Sequence, residues 1–469
     1  MENSSSASAP GLKRSLTLSD LILYGIIVIQ PVAPMSVFGV LSDRGRGHVV
    51  TTILIAMVGM LFTAISYGRM ARVYPSAGSA FTYVGQEINP ALGYVTGWSM
   101  VMDYMLNPMI CIIWCSQQAH VFAPHVPYWG WAIFFAALFT YLNIQGVKTS
   151  ARVNTALAAG MGAVIAIFFV AAARYIFEIP HGGAEFFTRP FYDPQTWHSR
   201  AVFGATSIAV LTYIGFDGIS TLSEEAENPR RNILLATVLT CLVIGILSAI
   251  EVYAAQLIWP ATQPFPNSDT AFTFVAQRAW PPLFAIVGFT LLVANFGSGL
   301  GAQIGAARLL YGMGRSSALP KSFFGAVDPK RRVPRNNVIF VGILALIGAL
   351  LVEVPLHAST ACQVSEGGGS TLFCYGLGAE MLNFGALIAF MGVNAAALMH
   401  YFIRKGEKTI GNFAPPVFGF LICLALWLLL SNPAKIAGVI WMAVGIAFGA
   451  WKTHGFRGNL INFDLPEES

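Results

Sequence analysis

Apolar positions fall into long runs spread evenly along the chain, with polar and charged residues mostly confined to short stretches between them. A run of roughly 20 apolar residues crosses the hydrocarbon core as a helix. On that criterion the pattern predicts twelve spans, at 21–41, 48–72, 91–118, 128–145, 152–177, 201–221, 232–258, 281–310, 336–353, 376–403, 414–430 and 433–452. The first run is longer than a signal-peptide core and lacks a clear small-residue cleavage site, so it reads as a membrane helix. Residues 1–17 and 453–469 are polar and read as cytoplasmic tails.

Two runs are interrupted at corresponding places. Span 1 contains Gln30-Pro31-Val32-Ala33-Pro34, and span 6 contains Gly215-Phe216-Asp217-Gly218. A break frees backbone N–H and C=O groups that lipid cannot satisfy, so they must face protein or a water-filled cavity. Spans 1 and 6 open two successive sets of five, as in inverted-repeat transporters with broken helices at the bilayer midplane. The expected fold is therefore an all-α membrane protein with 12 transmembrane helices and a 5+5 inverted repeat. Its first repeat covers 18–177 (spans 1–5), its second 201–403 (spans 6–10), and spans 11 and 12 form a peripheral pair over 414–452.

Composition narrows the class. Of the 469 residues, 55 % are hydrophobic and 10 % charged, where soluble domains carry about 25 % charged residues. So little polar surface nearly excludes a soluble enzyme, and six Cys are too few for a disulfide scaffold. The net charge of +5 does not point to nucleic acid, because no basic patch is interleaved with aromatics. With the N-terminus cytoplasmic, 20 of the 27 Lys and Arg fall on the inner side, the expected orientation signal. Both termini are then cytoplasmic. Arg44 and Arg46, in the first outer loop, run against the rule.

Several segments resemble the amino acid–polyamine–organocation superfamily of permeases. Tyr74-Pro75-Ser76-Ala77-Gly78-Ser79-Ala80-Phe81-Thr82-Tyr83 resembles its Pro-x-Ala-Gly signature. Asn143-Ile144-Gln145-Gly146-Val147-Lys148 is a second match. Residues 214–231, with Glu224-Glu225-Ala226-Glu227-Asn228-Pro229-Arg230-Arg231, resemble its most diagnostic segment. Ala307-Arg308-Leu309-Leu310-Tyr311 through Val333-Pro334 completes the set. Within the superfamily the chain is most similar to the bacterial putrescine importers, through 61–68, Gly97-Trp98-Ser99 with Asp103-Tyr104 and Pro108-Met109-Ile110, and Asn383-Phe384-Gly385. Asn228-Pro229 and Glu380 depart from that branch and follow the general permease pattern. The resemblance implies a LeuT-like fold, a cell inner-membrane location, and import of diamines, with the proton as coupling ion.

The residues themselves bear on the cargo. A substrate carboxylate is held by free N–H groups at a half-helix N-terminus. Pro31 and Pro34 have no N–H, so this break makes a poor anion cradle. Ionised side chains inside spans are costly and mark sites by default. Asp103, Asp217, Glu251 and Glu380 are such acids. Ser99, Asp103 and Asn107 recur every four residues, one stripe on span 3, with Tyr104 beside it offering a cation–π face. Asp103 is either a cation ligand or a packing acid. Asp217 is either a ligand or a cap on the span 6 break, and Glu251 reads as structural. Glu380 is a candidate outer gate or first-contact acid.

The candidate substrate residues are thus Gln30, Val32, Asp103, Tyr104, Tyr213, Gly215, Phe216, Asp217, Glu380 and Phe384. Phe216 and Phe384 are possible hydrophobic gates, and Trp98 reads as packing. The Glu224–Arg231 stretch reads as an inner-face ion-pair network. Cys362 and Cys374 flank a Gly-rich outer loop, placed either to form a disulfide or to remain free thiols. Span 8 has Ser298 without a neighbouring hydroxyl, and span 5 has no interior Lys, so no coupling device is visible. No cofactor, metal site or catalytic constellation is expected. The expected function is secondary import of putrescine or a similar small amine by alternating access, with an α-amino-acid permease or an exchanger as the alternative.

Overall fold

A computed structural model describes residues 16–74, 79–146, 151–180, 182–223, 226–315, 319–331, 333–354, 362, 371–453 and 455 of the chain. Among the described residues the protein is helical, apart from one isolated bridge between Leu16 and Ala226. Ten helices are long and apolar enough to cross a membrane, and the bent pair Leu18–Ile29 and Ala33–Arg44 makes an eleventh. Tyr128–Gln145 supplies the twelfth expected element. Its 18 residues include Asn143, Gln145 and four Tyr or Trp, which dilute its apolar character.

The observed elements follow the apolar runs closely. Span 1 starts at Leu18 because Thr17 and Asp20 form a reciprocal capping box, which satisfies two orphan N–H groups. It bends by 44° at the Gln30–Val32 break. Span 6 is Ser199–Ala209, followed by short 3-10 segments Val210–Thr212 and Phe216–Leu222. Spans 2, 3 and 5 are Val49–Val73, Pro90–Phe122 and Ala151–Glu178. Spans 7 to 10 are Pro229–Ile258, Leu283–Arg315, Arg335–Leu350 and Tyr375–Ala397, and spans 11 and 12 are Ile410–Leu429 and Asn432–Lys452. Short helices Ser79–Glu87 and Ala271–Ala279 lie between spans.

Packing follows the repeat. Span 2 packs on span 7, span 3 on span 8, span 4 on span 9, and the first half of span 1 on the second half of span 6. Partners in every pair are five spans apart, as a pseudo-two-fold inverted repeat requires. Spans 1, 2, 6 and 7 form one group, and spans 3, 4, 8 and 9 the other. This is the LeuT-like arrangement. Spans 11 and 12 pack on span 10 from outside and expose Leu428, Ile436 and Ile440, as lipid-facing helices do.

Three devices fix the ends. The Leu16 carbonyl accepts the Glu227 N–H at 2.8 Å, clipping the start of span 1 to the segment after span 6. Glu87, 1 % exposed, accepts from the Tyr74 hydroxyl at 2.8 Å and from Arg404 at 3.1 Å, and touches the His400 Nδ1. That cluster pins Ser79–Glu87 to the π-helical end of span 10 at Leu398–Arg404. On the opposite face, the sulfurs of Cys362 and Cys374 are bonded.

Candidate functional site

The two breaks meet. Gly215 has φ +121°, and a Cβ there would lie 3.0 Å from Val28 Cγ1 and 3.3 Å from Ile29 Cγ1. Both the backbone angle and the closeness require glycine. On the span 1 side Gln30 has φ +68°, and its side-chain amide donates to the Ala294 carbonyl of span 8 at 2.6 Å. The next residue, Asn295, donates to Ser36 Oγ at 3.0 Å. Span 8 thus holds the break from the other helix group.

The break exposes acceptors more than donors. The carbonyls of Ile27, Val28 and Ile29 need donors from residues 31, 32 and 33. Pro31 has no N–H, the Val32 N–H makes no backbone bond, and the Ala33 N–H turns to the Gln30 carbonyl at 3.0 Å. On span 3, Pro108 lies inside the helix and has no N–H for the Tyr104 carbonyl. Oxygen lone pairs therefore outnumber free N–H groups around the breaks. That polarity suits an ammonium and opposes a carboxylate.

Asp103, Tyr104 and Asp217 come together here. Asp103 and Asp217 are near enough to interact electrostatically, and Tyr104 with both. Asp217 Oδ1 accepts the Gly215 N–H at 3.3 Å, so it caps the break while remaining beside the site. Asp103 is 7 % exposed and has no hydrogen bond or ion pair to any described residue. A carboxylate so placed is stable only when a cation or a proton accompanies it. Ser99 and Asn107 share its face but bond locally, Ser99 to the Thr96 carbonyl and Asn107 with Cys111.

Beneath the breaks lies an aromatic layer. Phe216, fully buried, stands 5.6 Å from the Tyr67 ring and 5.3 Å from Phe390, and Tyr67 meets Tyr83 at 6.2 Å. The sequence reading missed Tyr67, Tyr83 and Phe390. The first two sit inside segments quoted for the family resemblance, yet nothing local marks them as neighbours of Asp217. It also missed one face of span 8. Gly305 lies against the Tyr104 ring, while Gly297 and Gly301, at four-residue spacing on the same face, front open space. The recurring glycine was the available signal.

Three other candidates point elsewhere. Tyr213 donates to the Ile53 carbonyl at 2.9 Å and packs over Gly245, a structural tie between spans 6, 2 and 7. Phe384 faces Trp427 at 5.2 Å and Gly438, toward spans 11 and 12. Glu380 accepts from Ser431 in a cavity shared with Arg44, Arg200 and Lys435. Those cations surround the acid that was expected to meet a cationic substrate first. Trp98 stacks on Trp441 at 4.8 Å, and each indole donates to the other's carbonyl. Glu251 is fully buried with neither oxygen bonded.

Pro75–Gly78, Lys148, Glu224 and Glu225 lie outside the described residues. Among those described, no ion pair joins Glu227 to Arg230 or Arg231.

The sequence model of the family described as amino acid permease matches residues 35–431. The chain is 34 % identical over 462 residues to the low-affinity putrescine importer PlaP of Escherichia coli (strain K12), covering 97 % of this chain and 96 % of that one. It is 25 % identical over 470 residues to the branched-chain amino acid permease BcaP of Bacillus subtilis (strain 168), covering 93 % and 92 %. A methylthioribose transporter of the same Bacillus strain is also 25 % identical, with 94 % of each chain covered.

Proposed function

This chain belongs to the amino acid permease family of multi-pass membrane transporters, and we propose that it imports putrescine or a similar small amine across the cytoplasmic membrane. Both termini would be cytoplasmic, and transport would proceed by alternating access. The cargo binds between the broken spans 1 and 6 and spans 3 and 8. One ammonium sits against Asp103 and the carbonyls freed at Ile27–Ile29, with the Tyr104 ring as a cation–π face.

One observation carries this reading: the buried Asp103 carboxylate has no hydrogen-bond or ion-pair partner among the described residues, while the break beside it is short of N–H donors. A dication entering the membrane loses hydration that only such acceptors offset. The similarity to a putrescine importer over nearly the whole chain supports the same cargo. We further propose the proton as coupling ion, carried by Asp103 when the site is empty. Rocking of spans 1, 2, 6 and 7 against spans 3, 4, 8 and 9 would then expose the site to either side.

The test is uptake into proteoliposomes of labelled putrescine and of leucine, under imposed proton or sodium gradients. Putrescine uptake that an inward proton gradient accelerates and excess leucine does not inhibit is the expected result. Leucine uptake inhibited weakly by putrescine would make the chain an α-amino-acid permease instead. A sodium-driven signal would refute proton coupling alone.

A further inference from the structure

At the membrane face opposite the Leu16–Ala226 bridge, a cavity of about 270 Å³ opens between the outer ends of spans 1, 6, 10, 11 and 12. Arg44 ends span 1, Arg200 begins span 6 and Lys435 lies in the first turn of span 12. All three line the cavity, and Glu380 is the acid at its wall. Arg44 interacts with Asp43 as well as Glu380, and Arg200 and Lys435 alone outnumber Glu380, the one acid of the lining. Asp43, next to Arg44, is turned to Ser268 and is not in the lining. The cavity therefore keeps an excess of positive charge in a concave setting, which concentrates anions.

Apart from Ser431 and Asn432, its other walls are apolar. Gly204 leaves the span 6 side open, with Leu429 O at 4.0 Å from where a Cβ would stand. Beside the opening, Phe203, Leu428 and Ile436 are 40 %, 56 % and 61 % exposed, so hydrocarbon meets the cations at the cavity mouth. Span ends lie at headgroup depth, where basic residues meet lipid phosphates.

We propose that this cavity binds the phosphate of an anionic phospholipid, whose acyl chains lie along Phe203, Leu428 and Ile436. The proposal is independent of the cargo. It also gives Arg44 a local role at a position where the distribution of positive charge across the membrane disfavours one. A lipid held there bridges span 6, which carries a break, to the peripheral spans 11 and 12.

The test uses full-length protein, delipidated in uncharged detergent and titrated with phosphatidylglycerol or phosphatidylcholine, with bound lipid counted by native mass spectrometry. A basic side chain near an anionic headgroup is worth a factor of about five, so two together give about thirty-fold. Arg200→Ala with Lys435→Ala should weaken phosphatidylglycerol binding about thirty-fold and leave phosphatidylcholine unchanged. Arg200→Lys with Lys435→Arg should restore it. Arg200→Ala alone, at an exposed position, should cost about five-fold and reports even if the double variant folds poorly. Equal binding of the two lipids, or unchanged affinity in Arg200→Ala, would overturn the proposal. Displacement of phosphatidylglycerol by inorganic phosphate at millimolar concentration would overturn the lipid source in favour of a soluble anion.

Discussion

Replacing Gly215 by Ala tests whether the two breaks are locked together. The new methyl would sit 3.0 Å from Val28 Cγ1 and 3.3 Å from Ile29 Cγ1, at a φ of +121°. A non-glycine residue held in such backbone costs about 1–3 kcal/mol, and overpacking at a tight contact costs about 1–3 kcal/mol more. The sum, about 2–6 kcal/mol, comes straight from the place where spans 1 and 6 touch. Its lower bound already shifts an equilibrium about thirty-fold.

The assay pairs initial uptake rates in proteoliposomes with the thermal midpoint of the purified protein. Gly160→Ala is the control, because nothing lies within 4 Å of a Cβ there, and it should be neutral or slightly stabilising. Gly215→Ala should lower the midpoint and reduce uptake at least thirty-fold per folded molecule. Wild-type uptake with an unchanged midpoint would mean that the breaks do not abut.

Other consequences follow from buried charges and misplaced aromatics. Burial first, and Asp43 second, push the loop carboxyl of Asp269 up to about 7. Its stabilising contribution is then full below about pH 4 and lost progressively as pH rises to about 7, worth up to about 4 kcal/mol. Asp269→Asn should flatten the thermal midpoint over that window, and an unchanged slope would contradict the placement. Glu87→Gln should lower the midpoint more than Arg404→Ala, since Glu87 is 1 % exposed and the Arg404 side chain 52 %, and breaking a buried partner costs more than losing an exposed one. Equal losses would refute a buried latch. Phe384→Ala should reduce stability by about 3–5 kcal/mol without changing the ratio of putrescine to leucine uptake, because its ring faces Trp427. A changed ratio would return Phe384 to the substrate path.

The spans were legible because each needs about 20 apolar residues whatever its neighbours are. The breaks were legible because Pro31, Pro34 and Gly215 act on their own backbone. Facing was not legible. In a membrane bundle, lipid, protein core and a closed gate all accept apolar side chains, so periodicity does not tell Phe216, which packs on Tyr67 and Phe390 beside the breaks, from Phe384, which faces Trp427. The surroundings of Glu380 were not legible, since the cations around it come from three separate parts of the chain. Asp103 was easier to place, because Ser99 and Asn107 marked its helix face and Tyr104 stood next to it. Pro108 carried a readable consequence, a freed Tyr104 carbonyl, that becomes meaningful only once Tyr104 is seen against Gly305 and the breaks.

The central claim is that an unpartnered Asp103 receives a substrate cation. Its most direct measurement is calorimetric binding of putrescine and of leucine to detergent-purified wild type and Asp103→Asn. A hydrogen bond to a charged group is worth about 1.5–3 kcal/mol, so the variant should bind putrescine about 10- to 150-fold more weakly while keeping its thermal midpoint. Undiminished putrescine affinity in a folded Asp103→Asn protein, or leucine binding that exceeds putrescine binding in the wild type, would contradict it.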